Sequence, residues 1–212
     1  MNAKTRIILV DDHAVVRAGF RLLLSSTTSI EIVAEAERGE AVCQLYLALQ
    51  PDVVVLDLSM PGIGGLEVIR RLCARDSHAK ILVFSVHDEA VYIERALNAG
   101  AKGYITKNTA ADILVEAVQK IAQGQIYIEA NLLKAKFGQQ EDYRILLDSL
   151  SPREFDVFRL LAKGLTVHKV ADELRLSYKT VANYSTQVKT KLNVATLAEL
   201  ARVAIGLGIL ED

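Results

Sequence analysis

Four short apolar runs in the first half of the chain each lead into a residue able to do phosphoryl or cation chemistry. Asp11 and Asp12 follow Arg6–Val10, Asp57 follows Asp52–Leu56, Ser85 follows Lys80–Phe84, and Lys107 comes just after Gly103–Ile105. Three carboxylates gathered at one edge repel one another unless they hold a cation. An oxygen-only donor set with few protein ligands suits Mg2+, which prefers octahedral geometry and keeps several waters. One carboxylate of such a set can attack phosphorus while the metal neutralises charge on the transferring group. Lys107 then offers a point charge for phosphoryl oxygens, and Ser85 a hydroxyl donor. Taken singly these residues are ordinary: Asp12 reads as the cap of a helix starting near Ala14, and Asp57 as an acid before a turn. Their coincidence at four run ends is what points to a site.

These runs, with a fifth at Ile30–Ala36, are β-branched and alternate with segments of helical spacing. Val15, Val16, Phe20, Leu23 and Leu24 line one face of the first segment, and Val42, Leu45, Tyr46 and Leu49 one face of the second. Leu66, Val68, Ile69 and Leu72 serve the third, and Val91, Ile93, Ala96 and Leu97 the fourth. Ile113, Val115, Ala117, Val118 and Ile121 serve the fifth. Five β-α repeats predict an α/β fold, a five-stranded doubly wound parallel sheet of flavodoxin-like order with strand 1 near the middle. Val53–Leu56 lacks polar alternation, as a strand covered on both faces requires. Ligands of such sheets bind beyond the carboxyl ends of the strands, where the acids, Ser85 and Lys107 fall.

Periodicity weakens from Gln123 to Ser149. Gly124, Gly138 and the run Gln139-Gln140-Glu141-Asp142 predict a linker, with short helical pieces around Leu132–Phe137 and Tyr143–Leu147. Ser151-Pro152-Arg153-Glu154 then opens a helix with an N-cap, a proline at the first position and a capping-box glutamate. Thr166 caps a further helix over Val167–Leu174. Leu176 and Ser177 make the turn to another, from Tyr178 to about Leu192. No strand pattern returns. The chain thus reads as a domain over 1–123, a linker over 124–149 and an all-α domain over 150–212.

Lys179, Thr180, Asn183, Tyr184, Thr186, Gln187, Lys189, Thr190 and Lys191 leave the outer side of the Tyr178 helix without an acid. Amides, hydroxyls and lysines on a helix set just after a tight turn fit entry into a DNA major groove. A solvated helix of an unrelated bundle has the same surface chemistry. Charge is a weak arbiter: the chain of 212 residues has a net charge of −1, the part from Leu150 onward carrying +2 and the remainder −3. No stretch approaches the roughly 20 apolar residues of a membrane span. The start of the chain lacks a signal peptide's pattern, which points to the cytoplasm. Cys43 and Cys73 have no partner at ligand spacing and read as buried thiols in a reducing compartment.

The segments ILVDDH, VVVLDLSMPGIGGLEVIRRL, ILVFSVHD and GAKGYITK resemble the marker segments of bacterial receiver domains. The resemblance implies that Asp57 accepts phosphate from the phosphohistidine of a histidine kinase. It implies that Asp12, Asp57 and the backbone carbonyl of Ser59 hold Mg2+, with Asp11 acting through the metal's water shell. Lys107 matches the family's lysine, and Ser85 and Tyr104 its switch pair. Ser85 would bond a phosphoryl oxygen and open space for Tyr104 to turn inward, altering the surface of helix 4, strand 5 and helix 5. Pro61 follows Met60 as in the family. Gly64 departs from the acid many relatives carry there, outside the metal set. His13 reads as a loop residue and His87 as a candidate contact for the kinase.

The segment LSPREFDVFRLLAKGLTVHKVADELRLSYKTVANYSTQVKTKLNVATLAEL resembles the LuxR-type helix-turn-helix domain of the NarL/FixJ response-regulator family. By that likeness Lys179, Thr180 and Lys191 lie near phosphates, and the exposed side from Ala182 to Gln187 at base edges. Ala182 and Thr186 stand where several relatives carry lysines, and Tyr184 where histidine is common, so base preference does not transfer. Asn183 and Gln187 are the best base readers by chemistry. The family also implies a dimer through Thr196–Leu207, whose Leu197, Leu200, Ala201, Ala204 and Ile205 form an apolar stripe shared with the domain's own core. The expectation is therefore a two-component response regulator, not an enzyme. Once phosphorylated it would bind a two-fold-related site on double-stranded DNA as a homodimer. Two alternatives stand beside it. A Mg2+-dependent phosphohydrolase built on Asp57 usually needs an acid two residues on, where this chain has Ser59. A constitutive DNA binder would use the receiver for protein contacts alone.

Overall fold

The structure is a computed structural model that describes residues 4–25, 27–109, 111–132 and 147–210. The helical pieces expected between Leu132 and Leu147 lie outside those residues. The chain divides into two compact units, the first drawn from Met1–Asp88 and Tyr92–Ala135, the second from Lys136–Asp212 with Glu89–Val91. None of the helices among the described residues is long and apolar enough to cross a membrane.

In the first unit the strands are β1 (Thr5–Val10), β2 (Ile30–Ala36), β3 (Val53–Leu56), β4 (Ile81–Ser85), β5 (Gly103–Thr106) and β6 (Tyr127–Ile128). The helices are α1 (Ala14–Ser25), α2 (Gly39–Leu49), α3 (Gly65–Arg75), α4 (Ala90–Asn98) and α5 (Ala111–Ala122). All strands pair in parallel in the order β2-β1-β3-β4-β5-β6. Every residue of β3 is buried, as its unbroken apolar run requires. On one face Ile7, Leu9, Val53, Val55, Leu82, Phe84 and Ile105 pack against Phe20 and Leu24 of α1 and against Leu114, Ala117, Val118 and Ile121 of α5. The alternate strand residues Ile8, Val10, Val54, Leu56, Ile81 and Val83 are equally buried, so both faces of the sheet are covered.

Three expectations need correcting. The sheet has six strands, because Tyr127–Ile128 pairs with β5 inside the stretch read as linker, so the first unit runs on past 123. A strand of two residues has no period to detect. Moreover α1 and α5 share a face while their crossovers step toward opposite edges of the sheet. The two connections are therefore of opposite hand, and the less favoured hand is rare. Second, Val15 is 85% exposed and Leu23 is also exposed; of that stripe α1 buries Phe20 and Leu24 and half-buries Val16, on the i, i+4, i+8 line. Third, Cys43 and Cys73 are free thiols but half-buried.

The second unit is helical: α6 (Pro152–Ala162), α7 (Val167–Leu174), α8 (Tyr178–Lys191) and α9 (Leu197–Gly206). The expected capping box is present, with the Ser151 side chain taking the Glu154 N–H at 3.3 Å and the Glu154 carboxylate taking the Ser151 N–H at 2.6 Å. Thr166 and Ser177 cap α7 and α8 through the N–H groups of Lys169 and Thr180. Arg175, at φ 52°, ends α7 in the left-handed conformation and turns the chain into α8 within three residues. Val157, Leu160, Leu161, Val170, Ala171, Leu174 and Val181 form the core that fixes α8 on α6 and α7.

Candidate phosphoacceptor site and nucleic-acid interface

The strand ends bring the predicted residues together. Asp57 follows β3 and is 1% exposed, and Asp11, after β1, is as deeply buried. Lys107, just past β5, reaches both, its Nζ lying 2.7 Å from Asp11 Oδ2 and 2.8 Å from Asp57 Oδ2. Its backbone N–H bonds the Ser85 carbonyl at 2.7 Å, which sets the two strand ends in register. The Ser59 N–H donates to Asp57 Oδ1 at 3.2 Å. Gly65 opens α3 so close behind that a Cβ there would lie 2.4 Å from the Asp57 carbonyl oxygen. Only glycine lets the helix begin against this loop.

Three carboxylates face one ammonium, so the cluster carries excess negative charge. Burial pushes the Asp57 carboxyl above its usual range, against the pull of the Lys107 ammonium. Burial lowers the Lys107 ammonium, but Asp57 and Asp11 outweigh it and hold that group above its ordinary value. Asp12 Oδ1 is buried and takes no hydrogen bond among the described residues, though His13 Nδ1 lies 3.0 Å away. Donor atoms of Asp11, Asp12, His13 and Asp57 all fall within 4.8 Å of one another. Such an acidic, mostly oxygen set fits a small hard dication. His13, 61% exposed, stands closer to it than its reading as a plain loop residue suggests.

Ser85 is fully buried and its Oγ accepts the His87 N–H at 3.3 Å. Tyr104 is 0% exposed, turned inward, with its hydroxyl donating to the His87 carbonyl at 2.8 Å. His87 thus joins Ser85 and Tyr104, and its Nε2 lies 3.0 Å from Ser59 Oγ while its ring stacks on Tyr92. Sequence reasoning assigned it only a kinase contact. Arg17 was missed altogether. Buried on α1, it donates to the Asp11 carbonyl at 2.7 Å and is itself held by Glu35 and Glu37. The sequence signal was faint, since α1 carries two arginines and only the fold buries Arg17, five residues past the acidic pair, while Arg21 stays exposed. Glu129 was missed as well, since it falls in the stretch read as linker.

On α8, Lys179, Asn183 and Gln187 are exposed at i, i+4 and i+8, so they share one face, beside exposed Thr186 and Thr190. Thr180 is half-buried, its hydroxyl 2.7 Å from Ser177 Oγ, and Thr186 Oγ1 donates to the Ala182 carbonyl. Tyr184 is half-buried and packs against the helical core. Lys191 is engaged within its own unit, its ammonium 2.6 Å from Glu154 Oε2 and 2.9 Å from the Ser149 carbonyl. Leu200 and Ala204 of the terminal helix serve the unit's interior, while Leu197 is exposed and Ala201 and Ile205 are half-buried.

Residues 7–119 match the family model described as the response regulator receiver domain, and residues 148–204 that of bacterial regulatory proteins, luxR family. The chain is 35% identical over 209 residues to the response regulator GacA of Pseudomonas aeruginosa, covering 97% of this chain and 98% of that protein. It is 36% identical over 206 residues to the response regulator UvrY of Escherichia coli K12, covering 96% and 94%. A solved structure of RcsB from Salmonella enterica serovar Typhimurium, bound to promoter rprA in the presence of phosphomimetic BeF3−, superposes with a TM-score of 0.67 at 25% identity. That match covers 95% of this chain and 98% of RcsB. A two-component response regulator of the LuxR family from Aurantimonas sp. gives a TM-score of 0.61 at 37% identity, over 63% of this chain and 95% of that one. With both domain models matched and GacA and UvrY aligned over nearly their full length, the chain belongs to the NarL/FixJ family of two-component response regulators, transcription regulators that join a receiver to a LuxR-type DNA-binding domain.

Proposed function

We propose that Asp57 is the phosphoacceptor of this regulator, and that its phosphorylation by a histidine kinase in the cytoplasm drives dimerisation and DNA binding. The observation that carries the reading is the buried Asp11–Lys107–Asp57 arrangement at the strand ends. In the transfer, the N–P bond of the phosphohistidine breaks, a bond forms from phosphorus to an Asp57 carboxylate oxygen, and the imidazole leaves. Asp12, Asp57 and the Ser59 carbonyl would hold Mg2+, with Asp11 acting through its water, and the ion would offset charge on the transferring group. Lys107 already sits on the oxygen that would carry the phosphoryl group, ready to pair with it. The Ser85 hydroxyl, now taking the His87 N–H, is the neutral donor for a second phosphoryl oxygen.

Moving a two-state domain from mostly inactive to mostly active takes about 5 kcal/mol. Two or three charge-assisted hydrogen bonds, at about 1.5–3 kcal/mol each, supply it. The output is a dimer on a two-fold-related site in double-stranded DNA, with α8 in the major groove. Lys179 and Thr180 would meet phosphates, and Asn183 and Gln187 base edges. Thr186 and Tyr184 would contribute from their flanks of the helix. Lys191 would reach a phosphate by exchanging its Glu154 partner. Leu197, Ala201 and Ile205 are the part of the terminal helix left for a second subunit.

A second reading has one observation in its favour: Tyr104 is already inward while Asp57 is paired with Lys107. A constitutive DNA binder whose receiver serves protein contacts would look this way. Beryllofluoride with Mg2+, which imitates the acyl phosphate, separates the two. Under the phosphorylation reading it tightens self-association of the full chain, measured by sedimentation, and Asp57→Ala abolishes the effect. Self-association that ignores beryllofluoride would favour the constitutive reading.

A further inference from the structure

The Glu129 carboxylate is 8% exposed and follows the last strand of the receiver sheet. Its Oε2 alone takes the Thr106 N–H at 2.9 Å, the Thr106 hydroxyl at 3.2 Å and the Thr109 hydroxyl at 2.5 Å. Among the described residues its partners are these threonines, with no lysine or arginine in an ion pair with it. A buried carboxylate without a cation is costly unless donors surround it, so those donors define where it can sit. They also define something else, because Thr106 and Thr109 bracket Lys107. The Thr109 N–H closes that turn on the Thr106 carbonyl at 3.1 Å.

The backbone of Glu129 has a second tie. Its N–H bonds the Tyr104 carbonyl at 3.1 Å, one rung past the Gly103–Tyr127 and Tyr104–Ile128 pairs that make up β6. Its carbonyl then takes the Leu132 N–H at 3.0 Å. Two residue pairs are a weak hold for a strand, so the position of this segment depends on the carboxylate clasp. One end of the clasp is the turn whose lysine reads Asp57; the other is the stretch that continues along the chain toward the DNA-binding domain.

We propose that Glu129 is a positioning residue that couples the phosphoryl site to the segment leading to the DNA-binding domain, by clasping the Thr106–Thr109 turn that carries Lys107. The proposal rests on the reading of Asp57 as phosphoacceptor. When Lys107 gains a phosphoryl partner, its turn is held more tightly, and the clasp passes that restraint to Glu129 and Leu132. Coupling of this kind is reciprocal: what the phosphoryl group does to the clasp, loss of the clasp does to phosphoryl binding by the same factor.

The test uses the full chain with beryllofluoride and Mg2+, following Asp57 occupancy by 19F NMR and the Glu129 and Leu132 amides by hydrogen exchange. In the native chain, occupancy should slow exchange of both amides, by about tenfold. In Glu129→Gln the amides should exchange at one rate with or without beryllofluoride, and the probe should bind more weakly by about the same factor. Thr109→Val, which removes a single donor, should lie between the two and keeps the test usable if the glutamine variant unfolds. A purely structural glutamate would lower stability yet leave the beryllofluoride-dependent difference intact, and that result overturns the proposal. So does a native chain that binds beryllofluoride with no change at these amides. Absence of any bound 19F signal in the native chain would instead remove the phosphoacceptor reading itself.

Discussion

The two functional regions of this chain are built on opposite principles. The acid site draws Asp11, Asp57, Ser85 and Lys107 from four different strand ends, buries the first three, and sets the one Lys107 ammonium between two carboxylates. The proposed reading face of α8 draws Lys179, Asn183 and Gln187 from one helix that carries no acid, and leaves them exposed. A charge added at the first region is felt at once by every member, since buried groups are poorly screened. A change at the second stays local. The contrast fits the proposed division of labour: an interlocked cluster suits a switch, and a capped helix on a small apolar core suits an invariant reader.

The sharpest way to break this comparison is to remove the central cation. Lys107→Met leaves two buried carboxylates with no ammonium between them and no positive partner for the phosphoryl group. Labelling of Asp57 by acetyl phosphate, measured by mass spectrometry, should slow by about 10²–10³, the usual cost of losing one preorganised stabilising group. Binding of DNA by the unlabelled chain should not change. Equal damage to both would show that the two regions are not independent.

A smaller effect is expected on α8. Asn183→Ala and Gln187→Ala should each cost about 1–3 kcal/mol against a selected DNA site, measured by competition binding, and relax preference at one base pair. Raising salt should weaken native and variant chains alike, because lysine–phosphate contacts release counterions. Uniform loss on all sequences would instead make these side chains phosphate contacts.

The smallest effect sharpens the comparison, since the helical unit holds a buried carboxylate, Glu154 of α6, paired with Lys191 of α8. Burial raises the Glu154 carboxyl, but hydrogen bonds from Lys191 and the Ser151 N–H outweigh it and hold the group below its ordinary 4.5. A carboxyl lowered on folding contributes stability above its unfolded pKa and loses it as pH falls through the folded one. The helical unit should therefore weaken on acidification below about pH 4.5, seen as faster exchange of α6 amides. Glu154→Gln should reduce that dependence, at a cost of about 1–2 kcal/mol near neutral pH, because Lys191 is partly exposed.

Much of both regions was legible in the residues alone. The acids, Ser85 and Lys107 stand at the ends of apolar runs, and a doubly wound sheet sends all such ends to one edge. The starts of α7 and α8 were readable to the residue, because Thr166 and Ser177 must satisfy backbone donors within a turn. Local chemistry of this sort does not depend on what lies elsewhere. Val15 and Leu23 misled because a helical stripe shows which residues are able to face a core without showing how wide that core is.

By itself, then, the order of amino acids determined the alternation of strand and helix, the capped reader and the identity of the charged residues at the sheet's edge. Tertiary structure alone decided who holds whom: Arg17 on the Asp11 carbonyl, Lys191 on Glu154, Glu129 beneath the Lys107 turn, and a sixth strand two residues long. The reason is physical. Periodicity and capping are set by neighbours a few residues away, whereas a lone polar side chain looks the same whether water or a residue far along the chain will satisfy it.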